Sequence, residues 1–233
     1  MFGILGVIHS SLPFGGIYFP GQEKYYYFIA IFQLIGMYLN SVCNGTIDCV
    51  SVILMQLASN QFDVLKAHLK NIKYTDDKDV SKKIKTQIGF HQEILEYCEL
   101  VEELLNYGIL AQFLCSAISI CFTLLQLIMI PYNFKMSIIL LYLTCILCQL
   151  WMYCWFGHLV LVKSSEVIDA CYMSEWYKCH PRMKSFFFLI MERSKKPTYF
   201  TAGKFFILSL TTFVTILKSS YSYFAVLQRM YEG

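Results

Sequence analysis

Cys145 and Cys148 make a CxxC, a spacing that serves thiol redox exchange or metal binding. Their surroundings are apolar and show no alternation of strand and helix, so packing accounts for both. Cys171, Cys179, His180 and His158 add further metal-ligand types, but their intervals fit no standard site. His91 is followed by Glu93, Glu96, Glu99, Glu102 and Glu103 at helical steps. A di-iron bundle would need Glu-x-x-His pairs on facing helices, and the chain contains none. Those glutamates therefore read as a solvated helix face. Asn44-Gly45-Thr46 is a formal glycosylation sequon inside an apolar stretch, where no modifying enzyme would reach it. GxSxG, HExxH, phosphate-loop and dinucleotide fingerprints are all missing. No catalytic residue, metal or cofactor is expected, and an enzyme is not the reading.

The elements around these residues are membrane elements. Of the 233 residues, 57% are hydrophobic and 15% charged, against about 25% charged in a typical soluble domain. Mean hydropathy is +0.50. A net charge of +3 gives no case for nucleic acid. A crossing helix needs about 20 mostly apolar residues. Four stretches qualify: 25–58, 107–130, 136–162 and 202–230, the second closed by Pro131-Tyr132-Asn133. Gln33, Asn40, Asn44 and Asp48 give the first a side suited to protein rather than lipid.

Basic residues set the orientation. Lys66 to Lys85 holds seven lysines and Lys163 to Lys204 eight Lys or Arg, while only Lys24, Lys135, Lys218 and Arg229 lie elsewhere. By the positive-inside rule both crowded segments, 59–106 and 163–201, are cytoplasmic. The spans then run inward, outward, inward and outward, which leaves 231–233 extracellular. Residues 9–24, with Pro13, Gly15, Gly16, Pro20 and Gly21, read as an extracellular loop, and 1–8 as the end of a truncated span.

The cytoplasmic segments are helical too. Ile88, Leu95, Cys98, Val101 and Leu105 recur at helical spacing opposite the glutamates and lead into the second span. Residues 57–72 extend the first span, 163–177 extend the third, and 183–191 form a short apolar helix ended by 194–197. The expected fold is all-α: a polytopic membrane bundle whose helix extensions form a cytoplasmic anchor domain. Aromatic residues, Tyr25 to Phe28 with Phe32, and Tyr142, Trp151, Tyr153, Trp155 and Phe156, fit an interfacial belt. Phe32 and Tyr142 lie deeper than a belt requires and suit a pocket for a small apolar molecule.

A run of local patterns now resembles one family. Gln149-Leu-Trp-Met-Tyr-Cys-Trp-Phe-Gly157, Ala170-Cys171-Tyr172, Trp176, Arg193, Pro197, Ala202-Gly203-Lys204 and Ile216 to Leu227 occur in the order of the insect odorant receptors. His91, Ile94-Leu95, Gln112-Phe113-Leu114 and Cys121 are similar to that family's fifth span. The four spans would then be the fourth to seventh of seven, and the chain would begin at the end of the third. The resemblance implies a plasma-membrane receptor subunit, placed in a heterotetramer with a co-receptor and surrounded by membrane lipid. It would gate a cation pore when a small volatile odorant binds. It places the gate at Val226, with Ser222 and Arg229 on the same face, and the odorant near Phe32, Gly36, Met37 and Tyr142. The alternatives are a gustatory receptor of the same architecture, against which the run at Tyr221 to Leu227 speaks, and a non-functional receptor fragment. A transporter would show inverted repeats and buried charges, which the sequence lacks.

Overall fold

The computed structural model describes residues 26–73, 77–129 and 134–232. The expected segments 1–8 and 9–24 and the turn at 131–133 lie outside the described residues. Helix α1 runs Tyr26–Lys70, α2 Asp77–Met129, α3 Phe134–Ser165 and α4 Val167–Tyr172. A 3-10 turn at Trp176–Lys178 precedes α5, Pro181–Ser194. Strands β1, Thr201–Ala202, and β2, Phe206–Ile207, pair antiparallel ahead of α6, Leu210–Glu232. Two compact units result, Met1–Val50 and Ser51–Gly233.

In the first unit the described residues are the opening turns of α1. Tyr27, Phe28, Phe32 and Tyr38 are exposed. The Asn44 amide donates to Asn40 Oδ1 at 3.3 Å, as four-residue spacing on one face requires. Thr46 of the sequon donates its hydroxyl to the Val42 carbonyl, within the same helix.

The second unit is organised around α2. At 1.5 Å per residue its 53 residues span about 80 Å, against about 30 Å of hydrocarbon. From Leu104 to Met129 it carries no charged residue, while every charge it has lies between Asp77 and Glu103. One helix thus serves as both span and extension. Its buried side, Val80, Ile84, His91, Ile94, Cys98, Val101, Ile109, Phe113 and Ile120, advances by one helical turn (three or four residues) or by two (seven or eight). Met55, Ala58, Phe62, Leu65 and Leu69 of α1 join the same core. From α3 come Ile146, Leu150, Tyr153, Cys154 and Val160, with Phe113 and Tyr153 in edge contact at 6.4 Å. The aromatic run in α3 is therefore split: Tyr153 faces inward, while Trp151 and Trp155 stack on each other on the outside at 5.3 Å.

Three boundaries differ from expectation. Helical hydrogen bonding passes through Glu166 into α4 but stops at Tyr172, short of 177, because the chain turns through the 3-10 segment. The short apolar helix is longer than 183–191: Pro181 opens it at a position that needs no amide donor, and His180 Nδ1 accepts from Arg182 N. The last span is helical only from Leu210, not from 202. Gly203 and Lys204 both have positive φ, 64° and 60°, which turns 201–207 into a hairpin instead.

Three described helices are long and apolar enough to cross a membrane: Tyr27–Lys70, Lys78–Ile128 and Phe134–Tyr172. The expected fourth, α6, is not among them, since it includes Lys218, Arg229 and several Ser and Thr residues.

Close approach fixes one glycine, and a positive φ together with a crowded side chain fixes another. A Cβ at Gly157 would lie 2.4 Å from Leu208 Cβ and 3.1 Å from its carbonyl oxygen. One at Gly203 would lie 2.4 Å from Leu110 Cδ2. Gly157→Ala and Gly203→Ala should each lower stability by about 1–3 kcal/mol, as crowding and strain do in packed sites. Gly108→Ala meets nothing within 4 Å and should stabilise slightly. Thermal unfolding of the detergent-solubilised chain checks this; equal melting temperatures for all three variants would contradict it.

Candidate functional site

The candidate site is α6 together with the linker that aims it. Ser164 Oγ accepts from Thr198 N at 3.0 Å and donates to the Thr198 carbonyl at 3.1 Å, fastening the start of the linker to α3. Thr201 Oγ1 donates to Glu102 Oε1 at 2.5 Å, and Gly203 N donates to the Asn106 carbonyl at 3.1 Å, fastening the hairpin to α2. Leu208 N donates to the Phe200 carbonyl at 2.9 Å, and its side chain is fully buried against Gly157. Ser209 Oγ accepts from Thr212 N, capping the helix that follows.

Held in this way, α6 packs on α2 and α3. Its inner side is Phe213, Ile216, Leu217, Ser220 and Phe224. At 100° per residue the opposite side is Thr211, Thr215, Lys218, Ser222, Val226 and Arg229, and all six are exposed. Ser222 donates to the Lys218 carbonyl and Thr215 to the Thr211 carbonyl, so both hydroxyls are satisfied within the helix. The structure thus brings Ser222, Val226 and Arg229 onto one face, as their spacing suggests. Sequence reasoning had passed over Lys218, Thr215 and Thr211. The same three- and four-residue count, continued towards the start of the helix, would have found them.

Phe32, Gly36 and Met37 lie on α1 in the first unit, and a Cβ at Gly36 would meet nothing within 4 Å. Tyr142 lies on α3 in the second unit and is exposed. Cys145 and Cys148 are exposed, and all ten cysteines are free thiols. Burial pushes the thiols of Cys98 and Cys171 up to about 12, with Glu99 and Glu102 adding to the effect at Cys98. Neither can serve as a nucleophile near neutral pH. No three of His, Cys, Asp and Glu converge as metal ligands among the described residues.

The profile of the 7tm odorant receptor family matches residues 4–221. The chain belongs to that family. It is 27% identical over 232 residues to odorant receptor 94a of Drosophila melanogaster, covering 97% of this chain and 60% of that protein. It is 26% identical to odorant receptor 67c of the same fly, covering 100% and 59%. The chain therefore spans about three-fifths of the length of these relatives. Its fold is that of the insect olfactory receptor OR5 from Machilis hrabei, solved in complex with eugenol, with a TM-score of 0.84, 19% identity and coverage of 98% and 60%. Within this helical receptor fold, two of the residues that carried the family resemblance belong to the seat of the linker, and others line the core. Gly157 receives Leu208, Gly203 makes the turn, and Leu150, Tyr153 and Cys154 face the core.

Elsewhere, charge ties the helix extensions of this odorant receptor chain together. Lys66 Nζ lies 2.9 Å from Asp63 and 2.5 Å from Glu166, and Lys163 lies 2.5 Å from Asp63. Desolvation opposes ionisation of Asp63, but the hydrogen bonds and charges of Lys163 and Lys66 outweigh it and hold the carboxyl below its usual range. These pairs are partly exposed, so the network is worth on the order of 1 kcal/mol.

His91 is a different case: it is buried against the edge of Phe62, and desolvation together with the Arg193 charge pulls it down to about 4. A group depressed below its unfolded value of 6.5 leaves the unfolded state holding more protons between those values. Stability should then fall by about 2 kcal/mol from pH 7 to pH 5, and His91→Gln should flatten that slope. Melting temperatures across this range check the claim; an unchanged slope in the variant would remove His91 as its source.

Proposed function

We propose that the chain is part of an odorant-gated cation-channel subunit, with α6 lining the pore. The observation that carries this is the outward stripe Thr211, Thr215, Lys218, Ser222, Val226 and Arg229, opposite an apolar face already packed on α2 and α3. A helix facing lipid on its free side would not keep two cations and three hydroxyls there. A shared aqueous axis between subunits accounts for them. Polar lining also accounts for α6 falling short of the hydropathy of the other long helices. Val226 is the apolar residue in the stripe, and a ring of such side chains closes a pore by dewetting.

On this reading the Lys- and Arg-rich segments lie in the cytoplasm, the C-terminus is extracellular and the membrane is the plasma membrane. A co-receptor supplies the other pore helices. The ligand is a small, mostly apolar odorant. Eugenol, bound by the Machilis receptor, is of that chemical kind.

In the receptor subunit expressed with its co-receptor, Lys218→Gln and Arg229→Gln should each raise monovalent-cation conductance, because each removes a like charge from the pathway. Val226→Ser should leave the channel conducting without odorant. Patch-clamp recording reads all three; unchanged permeation in the charge variants takes α6 off the conduction path. Phe32→Ala and Tyr142→Ala should shift the odorant response profile, and unchanged profiles would remove those residues from the pocket.

A further inference from the structure

None of the described α6 residues lines a groove that α1 and α2 leave between them. Leu57, Gln61, Val64 and His68 follow one another on α1 by four-, three- and four-residue steps. Gln87, Phe90, Ile94 and Tyr97 follow one another on α2 by three-, four- and three-residue steps. One end of the groove is a cavity of about 220 Å³ lined by Leu57, Gln61, Phe90, Glu93, Ile94 and Tyr97. The next is a cavity of about 490 Å³ lined by His68, Thr86, Gln87, Gly89, Phe90 and Glu93. Phe90 and Glu93 belong to both, so the two are continuous. Leu57, at the end of the first apolar stretch, and Val64, beyond it, are each 43% exposed. Apolar surface is therefore left open where the chain is otherwise charged.

The polar atoms offered to this groove are mostly acceptors. Glu93 is its only charged lining residue among the described residues. Oε1 of Gln87 is buried and has no hydrogen-bond donor among the described residues. The Thr86 hydroxyl already donates to the Lys82 carbonyl, and the Tyr97 hydroxyl to the Leu54 carbonyl, so neither has a proton to spare. Gln61 and His68 can act either way. Aromatic surface comes from Phe90, Tyr97 and His68, with Phe90 and His68 rings 6.5 Å apart. A ligand complementary to this lining brings positive charge and N–H donors at one end and a ring or short chain at the other. An ammonium ion also gains from the aromatic faces, which a carboxylate or phosphate would not.

We propose that the α1–α2 groove is a binding site for an aryl-alkyl ammonium ion, its nitrogen at Glu93 and its ring against Phe90 and Tyr97. The site does not depend on the reading of α6 as a pore lining, and its test involves no current.

The probe is 2-phenylethylamine, compared with its uncharged isostere 2-phenylethanol, by equilibrium dialysis against the detergent-solubilised chain at pH 7. The ammonium ion should be retained about fivefold more tightly, the size expected of a partly exposed charge pair. Glu93→Gln should abolish that preference and Glu93→Asp keep part of it. Gly89→Leu fills the larger cavity from a position where an added Cβ meets nothing within 4 Å. It removes a helical glycine, so the chain should hold or raise its melting temperature while losing retention of the amine. Equal retention of amine and alcohol, or a preference that survives Glu93→Gln, overturns the proposal. So does retention untouched by Gly89→Leu, which would mark partition into the micelle.

Discussion

The direction of the last helix depends on how twelve or so residues before it are fastened to two others. Between Pro197 and Ser209 the backbone is neither helix nor free loop. Its polar groups are shared with Ser164, Glu102 and Asn106, and its apolar residue Leu208 is seated against a glycine. A buried turn must find partners for its amides and carbonyls, and here those partners belong to α2 and α3. Since α2 is one rigid helix running from the charged extensions into the apolar region, the clamp ties α6 to both. Gly157 permits this because a Cβ there would run into Leu208, and Gly203 because the turn needs its positive φ.

That fastening gives the polar stripe its meaning. With the apolar face of α6 committed to α2 and α3, the opposite face is the one left for other molecules. On the proposed channel reading those molecules are water, ions and the α6 helices of neighbouring subunits. The remote contacts serve the same end. The Asp63, Lys66, Lys163 and Glu166 network and the neutral His91 beside Phe62 tie the end of α1 to the elements that position the linker.

Much of this was legible in the residues. Long apolar stretches announced three of the four expected spans as long apolar helices, and the glutamate face of α2 was readable from its period. Three- and four-residue spacing put Ser222, Val226 and Arg229 together. The hairpin was not legible. Thr201 to Ile207 is as apolar as the helix that follows, and only the φ values of Gly203 and Lys204 separate them. The hairpin's pairing with Asn106 and Glu102 crosses about a hundred residues and leaves no local signal. Lys218 was passed over because a lysine inside an apolar run reads as a flaw in a span rather than as part of a face. The α1–α2 groove stayed hidden for a similar reason, since its two rims lie on different helices and each alone reads as an amphipathic edge.

Amide hydrogen exchange across 198–209 tests the clamp most directly. If the linker is fastened as described, the Gly203 and Leu208 amides, bonded to the Asn106 and Phe200 carbonyls, exchange as slowly as the adjoining turns of α2. Exchange at the rate of an unprotected loop, with α2 still protected, would contradict the account.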